Sequence, residues 1–267
     1  SMNIGRLVPQ IVYYVYAYSQ LVKSGDIENG QKINVTVPTG NFGNILAAYY
    51  AKEIGLPIAK LICASNENKV LTDFFATKVY DKKRDFKVTS SPSMDILVSS
   101  NLERLIFHLM GNDATKTKAL MENLVATGEY KLEALRPEIL ANFVAGFATE
   151  EETSAEIKRV YQEANYIEDP HTAVASAVYH AYREETGDQR PVVIASTASP
   201  YKFPRVAVSA VSGQDSGDDF KAVEELHNLS GVAIPQAVAG LEKAEVRHKT
   251  VVATADMQKA VEDYLGV

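Results

Sequence analysis

The stretch Val35-Thr-Val-Pro-Thr-Gly-Asn-Phe-Gly-Asn44 decides the fold of this chain. Its first residues predict a short buried strand that breaks at Pro38, and a loop with two glycines follows. A helix then opens within Asn41–Asn44 and continues through Ile54 to a stop at Gly55. This order of strand, loop and helix predicts one unit of an α/β fold with a parallel sheet.

The loop itself is compatible with two interpretations. One is a tight turn between a strand and a helix, for which two glycines are common. The other is a phosphate site, because unpaired N–H groups and the positive end of the helix dipole converge there. Gly40 and Gly43 have no Cβ and allow close approach, while Asn41 and Asn44 carry amide donors. The loop matches neither the triphosphate loop nor the dinucleotide fingerprint, so a bound phosphate would belong to another class of ligand.

Composition predicts a soluble cytoplasmic protein. The 267 residues are 46% hydrophobic and 23% charged, which is ordinary for a globular protein. The net charge of −7 and the lack of a basic run argue against nucleic-acid binding. The apolar stretch 7–22 is too short and too polar to span a membrane. The single cysteine, Cys63, is predicted to be buried, and a chain without disulfides suits a reducing compartment.

Further strands and helices alternate along the chain. Helices are predicted at 7–23, 43–54, 69–77, 172–185, 203–211, 219–228 and 256–265, and strands at 32–37, 58–64, 191–197 and 246–252. We therefore predict an α/β fold with an open, mostly parallel sheet flanked by helices. Residues 1–92 and 165–267 form the predicted α/β domain, and residues 93–164 form a mainly helical insertion.

Ligands of an open α/β sheet bind at the carboxyl ends of its strands. That rule brings Thr39–Asn44, Ser65–Asn68 and Ser196–Pro200 to one rim of the predicted sheet. The five histidines show no metal-ligand spacing, so no metal site is predicted. The expected site therefore consists of a phosphate-type loop, hydroxyls and amides.

Six motifs occur in order across almost the whole chain. They are Pro38–Asn44, Ala64–Asn68 with Leu71–Phe75, Ser91–Ile96, Ser99–Leu105, Asp169–Thr172 and Ser196–Phe203. Together they strongly resemble threonine synthase, a pyridoxal-phosphate enzyme of the tryptophan-synthase-β-like fold. The resemblance implies conversion of O-phosphohomoserine and water to threonine and phosphate, with pyridoxal phosphate as cofactor.

The resemblance also implies roles for individual residues. The cofactor phosphate is expected at the family's glycine-rich loop, which corresponds to Gly40, Asn41, Phe42, Gly43 and Asn44. Thr197 matches the family's hydroxyl partner of the pyridine nitrogen, and capping of the next turn is the alternative for it. Lys202 and Arg205 follow close to the same rim, where they contact the substrate's phosphate or carboxylate or are solvated surface charges.

One family motif is absent from this sequence. The lysine that forms the Schiff base lies upstream of the glycine-rich loop in the family, in a Phe-Lys-Asp context that does not occur here. Lys87 and Lys221 follow Phe but are expected to be surface lysines. We therefore expect a C-terminal portion of such an enzyme that is inactive alone and prone to self-association through its tyrosine-rich first helix.

Two further functions fit the same residues. A threonine-synthase-like phospho-lyase would act on O-phosphohomoserine without making threonine, because a fold does not fix its chemistry. A non-catalytic module that binds a phosphate ligand would keep the loop and lack the nucleophile.

Overall fold

The computed structural model describes residues 3–267. Its helices are α1 (Ile4–Leu7), α2 (Ile11–Ser24), α3 (Gly43–Glu53), α4 (Val70–Thr77), α5 (Leu102–Leu109), α6 (Ala114–Thr127), α7 (Glu150–Ala164), α8 (Pro170–Thr186), α9 (Pro204–Ser212), α10 (Asp219–Ser230) and α11 (Met257–Leu265). Its strands are β1 (Ile33–Pro38), β2 (Ile58–Ser65), β3 (Val79–Asp81), β4 (Glu129–Lys131), β5 (Phe143–Phe147) and β6 (Val192–Ile194).

The central sheet has the order β5-β2-β1-β6. All three of its strand pairings are parallel, whereas β3 and β4 form a separate antiparallel pair. Parallel strands need helical crossovers that cover both faces of the sheet. The predicted α/β fold, an open and mostly parallel sheet flanked by helices, is confirmed.

Alternate residues of β2 enter different parts of the core. Leu61 and Cys63 belong to the cluster that contains buried residues of α3, whereas Ile62 and Ala64 pack with Val174 and other residues of α8. Because successive side chains of a strand point to opposite faces, α3 and α8 cover opposite faces of the sheet. The start of α3 follows the carboxyl end of β1 at the candidate rim.

The N-terminal helical segment is broken near its start. The sequence predicts one helix over 7–23, but the structure has α1, a 3-10 turn at Val8–Gln10 and then α2. Pro9 occupies the first turn of the 3-10 segment, where its missing N–H costs no helical hydrogen bond. The helix ends at Gly25 with a left-handed backbone, as is common for glycine at this position.

The block 93–164 is mainly but not wholly helical. Residues Phe143–Phe147 form β5, an edge strand of the central sheet that the sequence did not predict. The strand Glu129–Lys131 was also missed, and it pairs with Val79–Asp81. These strands have three to five residues, too few for a period-2 pattern to separate them from loops. The predicted domain boundaries stay a prediction.

Residues from Ala233 to Val267 form a small compact unit of their own. The predicted strand at 246–252 is wrong, since this segment has no regular structure. Val251 is 93% exposed, and a strand needs both a pairing partner and a buried face. The predicted strand at 191–197 forms only over Val192–Ile194. Among the described residues 3–267, no helix has the length and apolar character to cross a membrane.

Candidate functional site

The glycine loop, residues 40–44, connects β1 to α3 through an unusual backbone. Phe42 precedes the helix with φ 62°, in the left-handed region, and offers α3 no side-chain cap. A bulky residue adopts this conformation only when its surroundings enforce it. Here the ring of Phe42 is 1% exposed and packs 5.9 Å from the ring of Phe143. Burial of this ring therefore holds the loop in shape.

A cavity of about 250 Å³ lies directly at this loop. The residues of the loop line it together with Val37–Thr39, Ile45 and four residues from other segments, namely Arg6, Leu7, Gln10 and Ser93. The first N–H groups of a helix lack intrahelical partners and carry the positive end of its dipole. The beginning of α3, without a side-chain cap, presents these groups at the cavity.

The cavity is suited to an anion by its charge. Arg6 is the one basic residue among the described residues that line it, and none of these residues is acidic. The carboxamide oxygen Oε1 of Gln10 is buried there without a hydrogen-bond partner among the described residues. A buried acceptor without a partner is costly, and only a donor group of a ligand would remove that cost, because a deprotonated phosphate oxygen is itself an acceptor.

Gly40 is required by a close contact between two backbones. A Cβ at Gly40 would lie 2.4 Å from the carbonyl oxygen of Ser93 and 3.3 Å from Cα of Met94. No side chain fits in that gap without displacing the backbone. The 3-10 turn Pro92–Met94, called the Ser93 turn below, thus packs directly on the glycine loop and forms a wall of the cavity.

Two further residues hold the glycine loop from outside the cavity. The hydroxyl of Ser99 donates to the carbonyl of Gly40 at 2.7 Å. Asn101 donates to the carbonyl of Asn41 through its backbone N–H at 3.0 Å and through Nδ2 at 2.8 Å. Because these carbonyl oxygens are occupied, the loop keeps one backbone arrangement.

A buried polar cluster around Asp95 holds the Ser93 turn in place. Nδ2 of Asn66 lies 2.8 Å from Oδ1 of Asp95, and Nδ2 of Asn68 lies 3.1 Å from the same oxygen. The hydroxyl of Thr89 donates to that oxygen at 2.7 Å. Asn66 and Asn68 follow the end of β2, so the predicted segment Ser65–Asn68 supports the rim through the residues that flank the turn.

Thr197 lies at the same rim but outside the cavity lining. The last register pair of β1 and β6 is Thr36 with Ile194. Thr39 comes three residues after Thr36, and Thr197 comes three residues after Ile194. Thr197 is exposed and is not among the residues that line the cavity. The structure therefore brings Gly40–Asn44 together and places Thr197 on the neighbouring strand end.

Lys202 and Arg205 have different surroundings. The ammonium group of Lys202 is exposed and lies 5.6 Å from the ring centroid of Phe203. Arg205 forms a two-point ion pair with Asp215, with Nε to Oδ1 at 3.0 Å and the second nitrogen to Oδ2 at 2.6 Å. The guanidinium of Arg205 is thus engaged at the surface, and neither residue lines the cavity.

The sequence interpretation missed the contributions of Arg6 and Gln10 to this cavity. Both lie in the N-terminal helical segment, where helical spacing alone gave no reason to place them beside a loop that begins at Gly40. Asn3 caps α1 by accepting from the N–H of Gly5, and this cap fixes the start of the helix that carries Arg6. The Asn-x-x-Arg spacing of Asn3 and Arg6 at the start of the chain was the available signal.

Comparison with known proteins agrees with this architecture. The family model described as threonine synthase, C-terminal, matches residues 172–264. The human protein named threonine synthase-like 1 is 42% identical over 262 residues, which are 96% of this chain and 35% of that protein. Threonine synthase of Saccharomyces cerevisiae is 35% identical over 92% of this chain and 50% of its own length.

Solved structures give the same result. The threonine synthase of Brucella melitensis, solved with bound pyridoxal phosphate, has a TM-score of 0.82 at 35% identity and matches 99% of this chain. The yeast enzyme has a TM-score of 0.84 at 30% identity. The chain spans 51% and 53% of those two structures, about half of their length. Over nearly its whole length, this chain is therefore threonine synthase-like in both sequence and fold.

Proposed function

We propose that this chain forms the cofactor-phosphate site of a pyridoxal-phosphate-dependent threonine synthase, a lyase that acts on O-phosphohomoserine. The observation that carries the proposal is the cavity at the uncapped start of α3, bounded by the glycine loop and by Arg6. Backbone N–H groups at a helix start, with a guanidinium nearby, form an established kind of phosphate site.

The residues present fit the phosphate end of the cofactor. The cavity of about 250 Å³ lies below the range of roughly 300 to 1,000 Å³ that is usual for pockets enclosing a whole drug-sized ligand. It therefore suits a phosphate group better than a cofactor together with its substrate. Gly43 leaves the approach open, since a Cβ there would meet only Nδ2 of Asn101 at 3.5 Å.

The bound cofactor would supply an electron sink, and the protein would supply binding and orientation. Residues 40–44 hold the phosphate, and Thr197 offers a hydroxyl to the pyridine nitrogen from the neighbouring strand end. A hydroxyl, unlike a carboxylate, does not hold a proton on that nitrogen. Lys202 and Arg205 are proposed to meet the anionic groups of the substrate. The guanidinium of Arg205 is already paired with Asp215, so Lys202 is the stronger candidate of the two.

We propose further that the isolated chain is inactive. None of the described residues that line the cavity is a lysine. Lys87 and Lys221 have side chains that are 54% and 65% exposed and pair with Glu67 and Glu225. A Schiff-base lysine has to reach the reacting atoms, and these two lie at the surface of the protein.

Ligand titration tests the phosphate site directly. Absorbance titration should show that pyridoxal phosphate binds at least about tenfold more tightly than pyridoxal, which lacks the phosphate. Inorganic phosphate should compete with the cofactor. Equal affinity for the two aldehydes would contradict the proposed site.

Borohydride reduction tests the proposed inactivity. Treatment with pyridoxal phosphate followed by peptide mapping should give weak and scattered labelling. Stoichiometric labelling of one lysine, or formation of threonine by the isolated chain, would show that the nucleophile is present.

A second candidate is a phospho-lyase that acts on the same substrate and releases a keto acid. The chain is 42% identical to a protein named threonine synthase-like 1 and 40% identical to the threonine synthase of Corynebacterium glutamicum, so sequence identity leaves both candidates open. A form of the protein that contains the lysine would separate the two by product analysis. A non-catalytic phosphate-binding module would give phosphate-dependent binding and neither product.

We also propose a cytoplasmic location and self-association through α2. This helix exposes Val12, Tyr13 and Tyr16, each of which is about 60% exposed. An exposed apolar helix face of this kind promotes association. The proposed small-molecule chemistry requires neither nucleic acid nor a membrane.

A further inference from the structure

His171 is a buried histidine that links three segments of the candidate site. It lies in the first turn of α8 and is 2% exposed. Its Nδ1 lies 2.9 Å from Oδ1 of Asp169, and its Nε2 lies 3.2 Å from the backbone nitrogen of Ser93. The ring also packs on Phe203, with centroids 4.9 Å apart.

The partners of the ring determine where its proton lies. Asp169 accepts hydrogen bonds from the backbone N–H of His171 at 2.9 Å and from the hydroxyl of Thr172. Burial acts to raise the pKa of Asp169, but its hydrogen bonds with His171 and Thr172 outweigh burial and lower it. A carboxylate only accepts, so Nδ1 carries the proton. Nε2 faces an N–H donor and must therefore be unprotonated.

The Ser93 turn transmits this contact to the glycine loop. The carbonyl oxygen of Ser93 would be 2.4 Å from a Cβ at Gly40, so the backbone of the Ser93 turn is in van der Waals contact with the backbone of the glycine loop. Ser93 also lines the cavity, whereas His171 does not. A shift of the Ser93 turn would therefore change the shape of the phosphate site without any change in the residues of the glycine loop.

We infer that His171 is a positioning residue, whose unprotonated Nε2 holds the Ser93 turn against Gly40 and thereby keeps the glycine loop in its phosphate-binding shape. The consequence for cofactor affinity rests on the proposed function. The statement about the position of the turn does not, and it is tested on the chain without any ligand.

A purely structural role for His171 predicts different behaviour. If the ring only fills space at the start of α8, its two nitrogens are not individually important. Two carboxamides separate these roles. His171→Asn keeps an N–H donor at the level of Nδ1 but cannot reach Ser93. His171→Gln places an acceptor at the level of Nε2 and can still accept from Ser93.

Hydrogen exchange on the full chain without ligand is the first measurement. We expect His171→Asn to increase exchange at least about threefold in peptides covering 90–95 and 40–44, while His171→Gln stays close to wild type. Both variants lose the ring contact with Phe203, so both should lower the melting temperature similarly. Equal exchange in the two variants at the Ser93 turn would overturn the inference.

The second measurement is the affinity for pyridoxal phosphate. Loss of one hydrogen bond corresponds to an increase of about tenfold or less in the dissociation constant. We expect that loss of affinity for His171→Asn and recovery for His171→Gln. If the wild-type chain does not bind pyridoxal phosphate but the exchange difference is present, the proposed cofactor function fails and the positioning role stands.

The tautomer provides a test that does not depend on the folding of any variant. Long-range ¹H–¹⁵N correlation spectra of the wild-type chain distinguish a protonated from an unprotonated ring nitrogen. We expect His171 to show a proton on Nδ1 and a bare Nε2 at pH 7.5. A proton on Nε2 would remove the acceptor for Ser93 and would overturn the inference.

Discussion

The hydroxyl of Tyr14 donates a hydrogen bond to Oδ1 of Asn44, and this contact joins the N-terminal helix α2 to the glycine loop. Tyr14 is 4% exposed, and burial raises its pKa, so its hydroxyl stays a donor at neutral pH. The contact occupies the oxygen of the Asn44 carboxamide. Nδ2 of Asn44 is then the end that remains to donate to an anion in the cavity.

Replacement of Tyr14 by Phe should therefore weaken the phosphate site. We expect Tyr14→Phe to lower the affinity for pyridoxal phosphate about threefold to tenfold, because the carboxamide of Asn44 loses its orientation. Tyr18→Phe is the matched control. Its hydroxyl is also buried and hydrogen-bonded, but to Gly30 and Gln31, which do not line the cavity. Titration of both variants should show a loss of affinity only for Tyr14→Phe, and an equal loss in both would contradict this role.

The two glycines of the loop should respond differently to alanine. Gly40→Ala forces a Cβ against the backbone of the Ser93 turn, and overpacking of this kind costs about 1 to 3 kcal/mol of unfolding free energy. Gly43→Ala makes only ordinary contacts in the folded chain and begins a helix, so the free energy of unfolding should hardly change. Urea unfolding compares the two variants. A larger loss of stability for Gly43→Ala would contradict the packing at Gly40.

A comparison of two arginines tests which guanidinium binds the phosphate of the cofactor. Arg6 lines the cavity, whereas Arg205 is paired with Asp215 outside it. Arg6→Ala should weaken binding of pyridoxal phosphate about tenfold, since one charge-assisted contact is lost. Arg205→Ala should leave the affinity unchanged. Titration at low and moderate salt measures both, and the reverse order of effects would show that the phosphate binds elsewhere.

The buried carboxyl of Glu168 should make stability depend on pH. Burial, together with the charges of Glu156 and Asp169, raises its pKa from 4.5 to about 8, and its Oε2 has no hydrogen-bond partner among the described residues. Between these two pH values the unfolded chain releases a proton that the folded chain keeps. The contribution of Glu168 to stability is therefore complete below pH 4.5 and is lost as pH rises through 8.

Glu168→Gln removes this titration, so its stability profile should be flatter between pH 5 and 8. One pKa unit corresponds to about 1.4 kcal/mol, and we expect the wild-type chain to lose at least that amount across this range. Urea unfolding at several pH values measures the difference. Glu151→Gln, at an exposed position of α7, is the control. Parallel profiles for Glu168→Gln and wild type would contradict the prediction.

The exposed face of α2 should drive self-association. Val12 is 62% exposed on this helix, and Val12→Lys adds a charge to the apolar face. Val125→Lys alters a valine that is 80% exposed on α6 and serves as control. Light scattering at high concentration should show association that only Val12→Lys reduces. A monomeric wild-type chain would contradict the proposed association.

Local patterns were sufficient for much of the fold. The strand, loop and helix around the glycine loop were predicted within a few residues, because a buried β-branched run, the loop glycines and an apolar helix segment leave strong signals over short distances. The strand β5 was missed because five residues give no reliable period. The segment 246–252 was wrongly predicted as a strand because it is rich in β-branched residues, namely Val246, Thr250, Val251 and Val252, but has no sheet partner among the described residues.

The sequence by itself determined the class of fold, the glycine loop and its position at a strand end, because these depend on residues that are adjacent in the chain. The tertiary structure alone decided which distant residues complete the site. Arg6 reaches the loop because α1, the helix that carries it, packs on α3. His171 reaches the loop only through the Ser93 turn, a contact across 78 residues of sequence. Such contacts depend on how the helices pack on the sheet, and no local pattern of residues encodes that packing.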